Sequence, residues 1–377
     1  MARIDMSEKL RVGVLFGGRS GEHEISLLSA RSVLQALDPE KYQIVQIGIT
    51  KEGNWLTGAD VIGFLTEGDS QSLSEAVLLP VPGRSRLYTL QERDGEEILN
   101  ALGGLDVIIP VLHGTYGEDG TMQGLFELAD LAYVGAGVLA SSVGMDKGVF
   151  KDVMVARDIP VVPYRVLLRS VFEEDPERVM DQAESVSGYP LFVKPANMGS
   201  SVGVHKCRDR AELSAALKDA SRYDRRLLVE KGIEAREIEL SVLGNQEPRV
   251  SIPGEIRPTA EFYSYEAKYH DQSSELLIPA PLTEEETAYV QRLALRAFKA
   301  IDGAGMARVD FLMDRETNQM YLNELNTIPG FTPISMYPKL WKESGLDYPA
   351  LIDALIDLAL ERRKDKDRTV WTYDRGK

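Results

Sequence analysis

Between Arg308 and Gly330 the chain reads RVDFLMDRETNQMYLNELNTIPG, two alternating runs around a polar turn at 314–318. Runs of this kind flanking a turn predict a β-hairpin with a longer loop. Side chains alternate faces along a strand, so Arg308, Asp310 and Leu312 share one face, and Leu322, Glu324 and Asn326 share one on the partner strand. A turn centred near Thr317 pairs Leu312 with Leu322, Asp310 with Glu324, and Arg308 with Asn326. Two carboxylates directly opposite each other repel, and burial sharpens the repulsion. A divalent cation between them removes it. Asp, Glu and Asn oxygens are hard donors suited to Mg²⁺, which shares its other positions with water and substrate phosphates. A solvated polar face of an antiparallel sheet would carry the same spacing.

Other segments add candidate groups. FVKPANMGSSVGV (192–204) predicts a strand, a small-residue loop and a second strand. Gly and Ser let backbone N–H groups approach an anion, and Lys194 at the strand end supplies a point charge. A surface hairpin would use the same residues, and the order is not that of a Walker A loop. Lys147, after a strand-to-helix break, is a second candidate phosphate cation or a solvated helix lysine. LLVEKGI (227–233) ends an apolar strand on a polar link whose backbone suits a purine edge, with Glu237 placed to accept from ribose hydroxyls. His113 and Glu118 lie where a parallel strand ends, the end at which such sheets bind ligands. Gly330 can offer a backbone donor to an oxyanion, and Ser335 can hold a carboxylate; turn chemistry alone also explains the Pro329-Gly330 pair. Gly17-Gly18-Arg19-Ser20-Gly21 sits where a dinucleotide fingerprint would, but reads GGxxG, and no acidic residue ends the second strand, which disfavours a nicotinamide enzyme. Glu22, at a helix start, is either a helix-dipole partner or an acceptor for a substrate ammonium.

These groups need several elements to position them. At 377 residues two or three domains are expected. A strand at 10–16, a helix with Ile25, Leu28, Val33, Leu34 and Leu37 on one face, and strands at 42–49 and 105–112 predict a parallel α/β sheet in the first third. Residues 52–100 are less legible. Further on, strands are expected at 161–168, 191–193, 203–207 and 227–230, and helices at 146–157, 210–220, 283–301 and 348–363, with a charged tail after Lys364. The longest apolar runs fall far short of a membrane span, and no signal-peptide core precedes the first glycines. A single cysteine, Cys207, rules out a disulfide framework and suits the cytoplasm. The net charge of −16 disfavours nucleic acid as the main partner, so an anionic ligand must rely on local lysines.

Taken together, LFGGRSGEHEIS, HGTYGEDGTMQG, VGMDK, FVKPANMGSSVGV, LLVEKGI, FYSYEAKY, ARVDFLMD and YLNELNTIPGFTP, in this order, resemble the D-alanine–D-alanine ligases of the ATP-grasp superfamily over nearly the whole chain. The resemblance implies three domains: a parallel α/β substrate domain at 1–135, a central ATP-grasp part at 136–232 and a C-terminal one at 233–365 (α+β in the ATP-binding part), then a tail at 366–377. It implies that ATP phosphorylates a first D-alanine and that the amine of a second attacks the acyl phosphate through a tetrahedral intermediate. D-alanyl-D-alanine for peptidoglycan, ADP and phosphate are then the products, made by a cytoplasmic homodimer without a membrane partner.

Carried over position by position, the resemblance puts two Mg²⁺ ions, with Mn²⁺ as a substitute, on Asp310, Glu324 and Asn326, Glu324 bridging. Lys147 and Lys194 meet the phosphates under the Ser200–Ser201 loop. Glu230, Lys231 and Ile233 take adenine and Glu237 takes the ribose. Glu22 receives the first D-alanine's ammonium, with His113 nearby. Arg308 and the Gly330 N–H form the oxyanion site, and Ser335 with Lys268 anchors the second carboxylate; Lys268 also belongs to the nucleotide set. Tyr269, within Glu266-Ala267-Lys268-Tyr269, follows the dipeptide-forming pattern and would bridge Glu22 and Ser200, so D-alanine rather than D-lactate or D-serine is the expected acceptor. The segment at 53–102 is longer than in the shortest members. A nucleotide-binding module without catalysis is the competing class.

Overall fold

A computed structural model describes residues 9–68, 73–257 and 275–372. The first sheet is built from β1 (Leu10–Gly17), α1 (His23–Ala36), β2 (Tyr42–Ile49), β3 (Trp55–Thr57), α2 (Val61–Glu67), β4 (Ser74–Leu78), β5 (Arg86–Arg93), β6 (Glu96–Gly104), β7 (Val107–Val111), α3 (Thr121–Leu128) and β8 (Ala132–Tyr133). Its strand order is β6-β5-β4-β3-β2-β1-β7-β8. The sheet is parallel only from β2 to β8; β2 to β6 pair antiparallel. The expectation of a parallel sheet therefore holds for half of it. A parallel return needs a crossover of about a dozen residues or more, and the link from Ile49 to Trp55 is too short for one. The β5–β6 hairpin turns on Asp94 at φ 56° and Gly95 at φ 80°, the left-handed pair that a tight two-residue turn requires.

Helix α1 buries Ile25 and Val33 as expected, but Leu28 is exposed. The inward face is centred instead on Ser26, Leu27, Ser29 and Ala30. Two serines were hidden from an apolar pattern because their hydroxyls are satisfied inside. Ser26 donates to the Val111 carbonyl and accepts from Gly17 N–H, tying α1 to the ends of β1 and β7.

The second sheet follows α4 (Val138–Met145) and α5 (Lys147–Val155). It is formed by β9 (Tyr164–Leu168), α6 (Arg169–Glu174), α7 (Pro176–Glu184), β10 (Leu191–Pro195), β11 (His205–Cys207), α8 (Arg210–Ala220) and β12 (Arg226–Lys231), in the order β11-β10-β12-β9. The third comprises β13 (Ala235–Gly244), β14 (Arg249–Val250), β15 (Gly254–Arg257), β16 (Glu275–Leu277), α9 (Glu284–Ala300), β17 (Gly305–Asp314) and β18 (Met320–Asn326), followed by α10 (Met336–Glu343) and α11 (Tyr348–Lys366). Its order is β16-β15-β13-β17-β18, with β14 on β13. Helix α9 opens with a capping box, Thr283 and Glu286 bonding reciprocally.

Separate cores hold these layers. Phe150 and Met154 of α5 pack with Val290, Phe298 and Phe311 under the third sheet. The C-terminal helix crosses back: Leu351, Leu355 and Ile356 share a core with Val12, Phe16 and Val111 of the first sheet. The first and third sheets are thus fastened together, which fixes the mouth of β1 and β7 over the β17–β18 hairpin. No helix among the described residues is long and apolar enough to cross a membrane.

Candidate active site

A cleft of about 850 Å³ is lined by residues of the second and third sheets and of the loops that follow β1 and β7. Its floor is the β17–β18 hairpin. Arg308 faces Asn326 and Asp310 faces Glu324 as the alternation predicts, but Leu312 pairs with Tyr321 and Leu322 with Phe311. Asn323 is the extra residue of a bulge. A bulge shifts the alternation by one, so Leu322 drops into the core beside Phe311 instead of sharing the face of Glu324. Across the sheet Glu239 of β13 also lies opposite Asp310. The carboxylate pair is therefore a row, Glu239–Asp310–Glu324.

Arg308 balances part of this row. Its guanidinium donates to both Asp310 oxygens at 2.8 and 2.6 Å and lies 3.1 Å from Glu239. Burial alone would lower the pKa of Arg308, but Asp310 and Glu239 outweigh it and raise it, so the charge is permanent. Lys147 stands 4.0 Å from Glu324. The row thus carries protein cations of its own, and repulsion between carboxylates does not by itself demand a metal. The donors still suit one. Asp310, Glu324 and Asn326 present hard oxygens to the cleft. Among the described residues no cluster of three or more His, Cys, Asp or Glu side chains is close enough to hold an ion alone. A cation here would complete its shell from ligand and water, as Mg²⁺ does.

The lysines come from α5 and the second sheet. Asp146 caps α5 through Gly148 and Val149 N–H and pairs with Arg226. That cap starts the helix at Lys147, whose ammonium donates to the Met198 carbonyl at 2.8 Å and whose N–H bonds Ala196. Lys194, next to last in β10, lies 2.5 Å from one oxygen of Glu230, while Lys151 lies 2.7 Å from the other. Burial would raise the Glu230 carboxyl, but Lys151 and Lys194 prevail and bring it down to about 2. Lys231, Ile233 and Glu237 follow at the end of β12 and start of β13 and line the same cleft.

The Gly-Ser loop closes over Glu22. The Ser200 hydroxyl donates to Glu22, whose side chain makes no cap bond to its own helix. Ser200 and Ser201 both take positive φ, 48° and 59°, a costly conformation for non-glycine residues that recurs at ligand clamps. A Cβ on Gly199 would lie 2.5 Å from the Glu22 carboxylate, so a larger residue there would push that carboxylate aside. His113 is buried beneath, 3.2 Å from Ser29 Oγ and 3.8 Å from Glu118. Burial opposes its protonation, yet Glu118 and Glu22 raise its pKa. Gly330 and Ser335 line the opposite rim, with the Ser335 hydroxyl 2.8 Å from that of Thr332. Lys268 and Tyr269 lie outside the described residues.

Three participants were absent from the sequence reading: Lys151, Glu239 and Asn197. Asn197 bonds both Asp146 and Asp224, joining the α5 cap to the loop base. Two of the three left a periodic signal. Lys151 follows Lys147 by one helical turn, and Glu239 follows Glu237 by one strand period.

Known proteins resemble this chain in sequence and fold. Two family models match, described as the D-ala D-ala ligase N-terminus over residues 11–136 and the D-ala D-ala ligase C-terminus over residues 153–357. A D-alanine–D-alanine ligase of Heliobacterium modesticaldum is 51% identical over 360 residues, 96% of this chain and 97% of that one. The solved D-alanine-D-alanine ligase from Coxiella burnetii superposes with a TM-score of 0.80 at 38% identity, covering 96% of this chain and 97% of that one. The D-Ala:D-Ser ligase VanG from Enterococcus faecalis does so at 0.82 and 34% identity, covering 93% and 100%. Fold and cleft together define the class as ATP-grasp ligases. Within that class, the chain belongs to the D-alanine–D-alanine ligase family.

Proposed function

We propose that this protein joins two D-alanine molecules into D-alanyl-D-alanine for peptidoglycan, converting ATP to ADP and phosphate. The observation that carries the reading is the cleft itself, where Lys147 of α5, Lys194 of β10, Glu22 from the loop before α1 and Arg308 of β17 meet around one space, in a chain of this family. Phosphoryl transfer asks for positioning and charge neutralisation more than covalent chemistry, and that is the inventory present. The γ-phosphoryl group passes to the first D-alanine carboxylate, whose ammonium Glu22 holds with His113 close by. Lys147 and Lys194 neutralise the phosphates, and the Ser200–Ser201 loop covers them. Glu230, Lys231 and Ile233 receive the nucleobase, and Glu237 the ribose. The second amine attacks the acyl phosphate; Arg308 and the Gly330 N–H stabilise the resulting oxyanion before phosphate leaves. Ser335 and Lys268 hold the second carboxylate, and Tyr269 closes over Glu22 and Ser200. Asp310, Glu324 and Asn326 would hold two divalent cations, Mg²⁺ or Mn²⁺, which supply further neutralisation of phosphate charge.

The work divides among a substrate domain at 1–135, a central ATP-binding part at 136–232 and a C-terminal part at 233–365. A cytoplasmic homodimer fits the family and the single thiol. Likeness to VanG favours one second reading, D-serine as acceptor; the Tyr269 pattern favours D-alanine. Product analysis with D-alanine, D-serine and D-lactate tests the choice, and a faster reaction with either of the latter near neutral pH overturns it.

A further inference from the structure

Lys151 has no task in the reaction as described, yet it is 1% exposed and points inward from α5. Fully buried lysines are rare unless paired, and an ion pair in such a place is often no more stabilising than apolar residues of the same volume. Burial depresses its pKa, opposed mainly by Glu230. Stability therefore gives little reason for a lysine at this position.

The geometry points to Lys151 as a positioning residue for nucleobase selection: it holds the Glu230 carboxylate charged and fixed while Lys194 turns to the phosphates, so that Glu230 accepts from a 6-amino purine and rejects a 6-oxo purine. The inference rests on the assignment of Glu230 to the nucleobase. Only one of the two lysines on Glu230 can leave it. Lys194 lines the cleft, whereas Lys151 is sealed behind it. The Lys151 ammonium is 2.7 Å from Glu230 Oε1, a fully buried oxygen. The other oxygen, now 2.5 Å from the Lys194 ammonium, is the one left to a ligand donor once Lys194 turns to phosphate, while Lys151 still balances the charge.

Among the described residues the surroundings offer no substitute. On β9, Tyr164 pairs with Glu230 in register, and its ring lies 5.9 Å below the Lys151 ammonium, its hydroxyl donating to Asp152. The other charged groups acting on the lysine pair, Glu324 of β18 and Glu237 of β13, are anionic. Once Lys194 is committed to phosphate, Lys151 is, among the described residues, the cation left beside Glu230. Without it, burial favours the protonated carboxyl, which donates as well as accepts and no longer tells an amino group from an oxo group.

The test is direct binding of ATP and inosine triphosphate to the full chain between pH 6 and 9, for the parent, Lys151→Met and Glu230→Gln. A hydrogen bond to a charged acceptor corresponds to a preference for ATP of roughly 10–100-fold, expected in the parent at every pH. Lys151→Met should lose most of that preference at the acid end, as ATP affinity falls, and regain it as pH rises. Lys151→Gln, which keeps a polar partner without the charge, should behave alike and serves if the methionine variant does not fold. An unchanged ratio in these variants, or equal weakening of both nucleotides at all pH, overturns the role of Lys151. Retention of the full preference by Glu230→Gln would overturn instead the nucleobase assignment beneath it.

Discussion

Arg308→Met removes the one guanidinium that serves both the carboxylate row and the proposed oxyanion. In the parent it is bonded to Asp310 at 2.8 and 2.6 Å and lies 3.1 Å from Glu239. Its loss leaves Glu239 and Asp310, 6% and 9% exposed, opposite each other without that cation. Breaking a buried pair by deleting one partner costs about 3–5 kcal/mol. At about 2–4 °C per kcal/mol, the melting temperature in chelator should fall by roughly 6–20 °C. Mg²⁺ with ADP returns positive charge to the row, so the variant should gain more from them than the parent does. Removal of one oxyanion donor lowers turnover by about 10²–10³, read as phosphate release under saturating substrates. Arg308→Lys should recover much of the stability but little turnover, because an ammonium lacks the planar fork. Turnover within tenfold of the parent in Arg308→Met would refute the oxyanion role. An unchanged melting temperature would refute the role in balancing the row.

Three further outcomes follow from the geometry. Glu324→Gln should lower turnover by about two orders of magnitude and raise the Mg²⁺ needed for half-activity; near-normal turnover would contradict the metal assignment. Gly305→Ala, at φ 70° with its new Cβ 3.0 Å from the Gly135 backbone, should cost about 1–2 kcal/mol from conformation alone, read as a lower urea midpoint with an unchanged slope. Glu230→Gln should be less stable than the parent at pH 7. Because the Glu230 pKa is depressed from 4.5 to about 2, its contribution is complete above the unfolded value and lost as pH falls through the folded one; the gap in urea midpoint should therefore narrow between pH 5 and pH 3, and a constant gap would contradict it.

The regular parts of the fold were legible because their periodicities are strong. Helix α8 and strand β2 lie at the expected residues, and the Asp310–Glu324 pairing came from alternation alone. The bulge at Asn323 was not readable, since a one-residue insertion leaves the polar–apolar pattern intact on either side. Residues 52–100 stayed obscure because β3 is short and β6 is largely exposed at the sheet edge. Their one clear signal was the Asp94-Gly95 pair, a strong hairpin marker that went unused. In the site, the lysines proposed for phosphate and the loop serines could be named from motif context. Lys151 could not, because a lysine within an amphipathic helix ordinarily reaches solvent. Glu239 was masked by its place inside an apolar strand, where only the register with Asp310 reveals what it faces.

The most direct measurement is phosphate release from ATP with and without D-alanine, with the dipeptide counted in the same reaction. Release should depend on D-alanine and match D-alanyl-D-alanine one for one. ATP binding or hydrolysis that ignores D-alanine, or a product other than the dipeptide, would contradict the ligase reading.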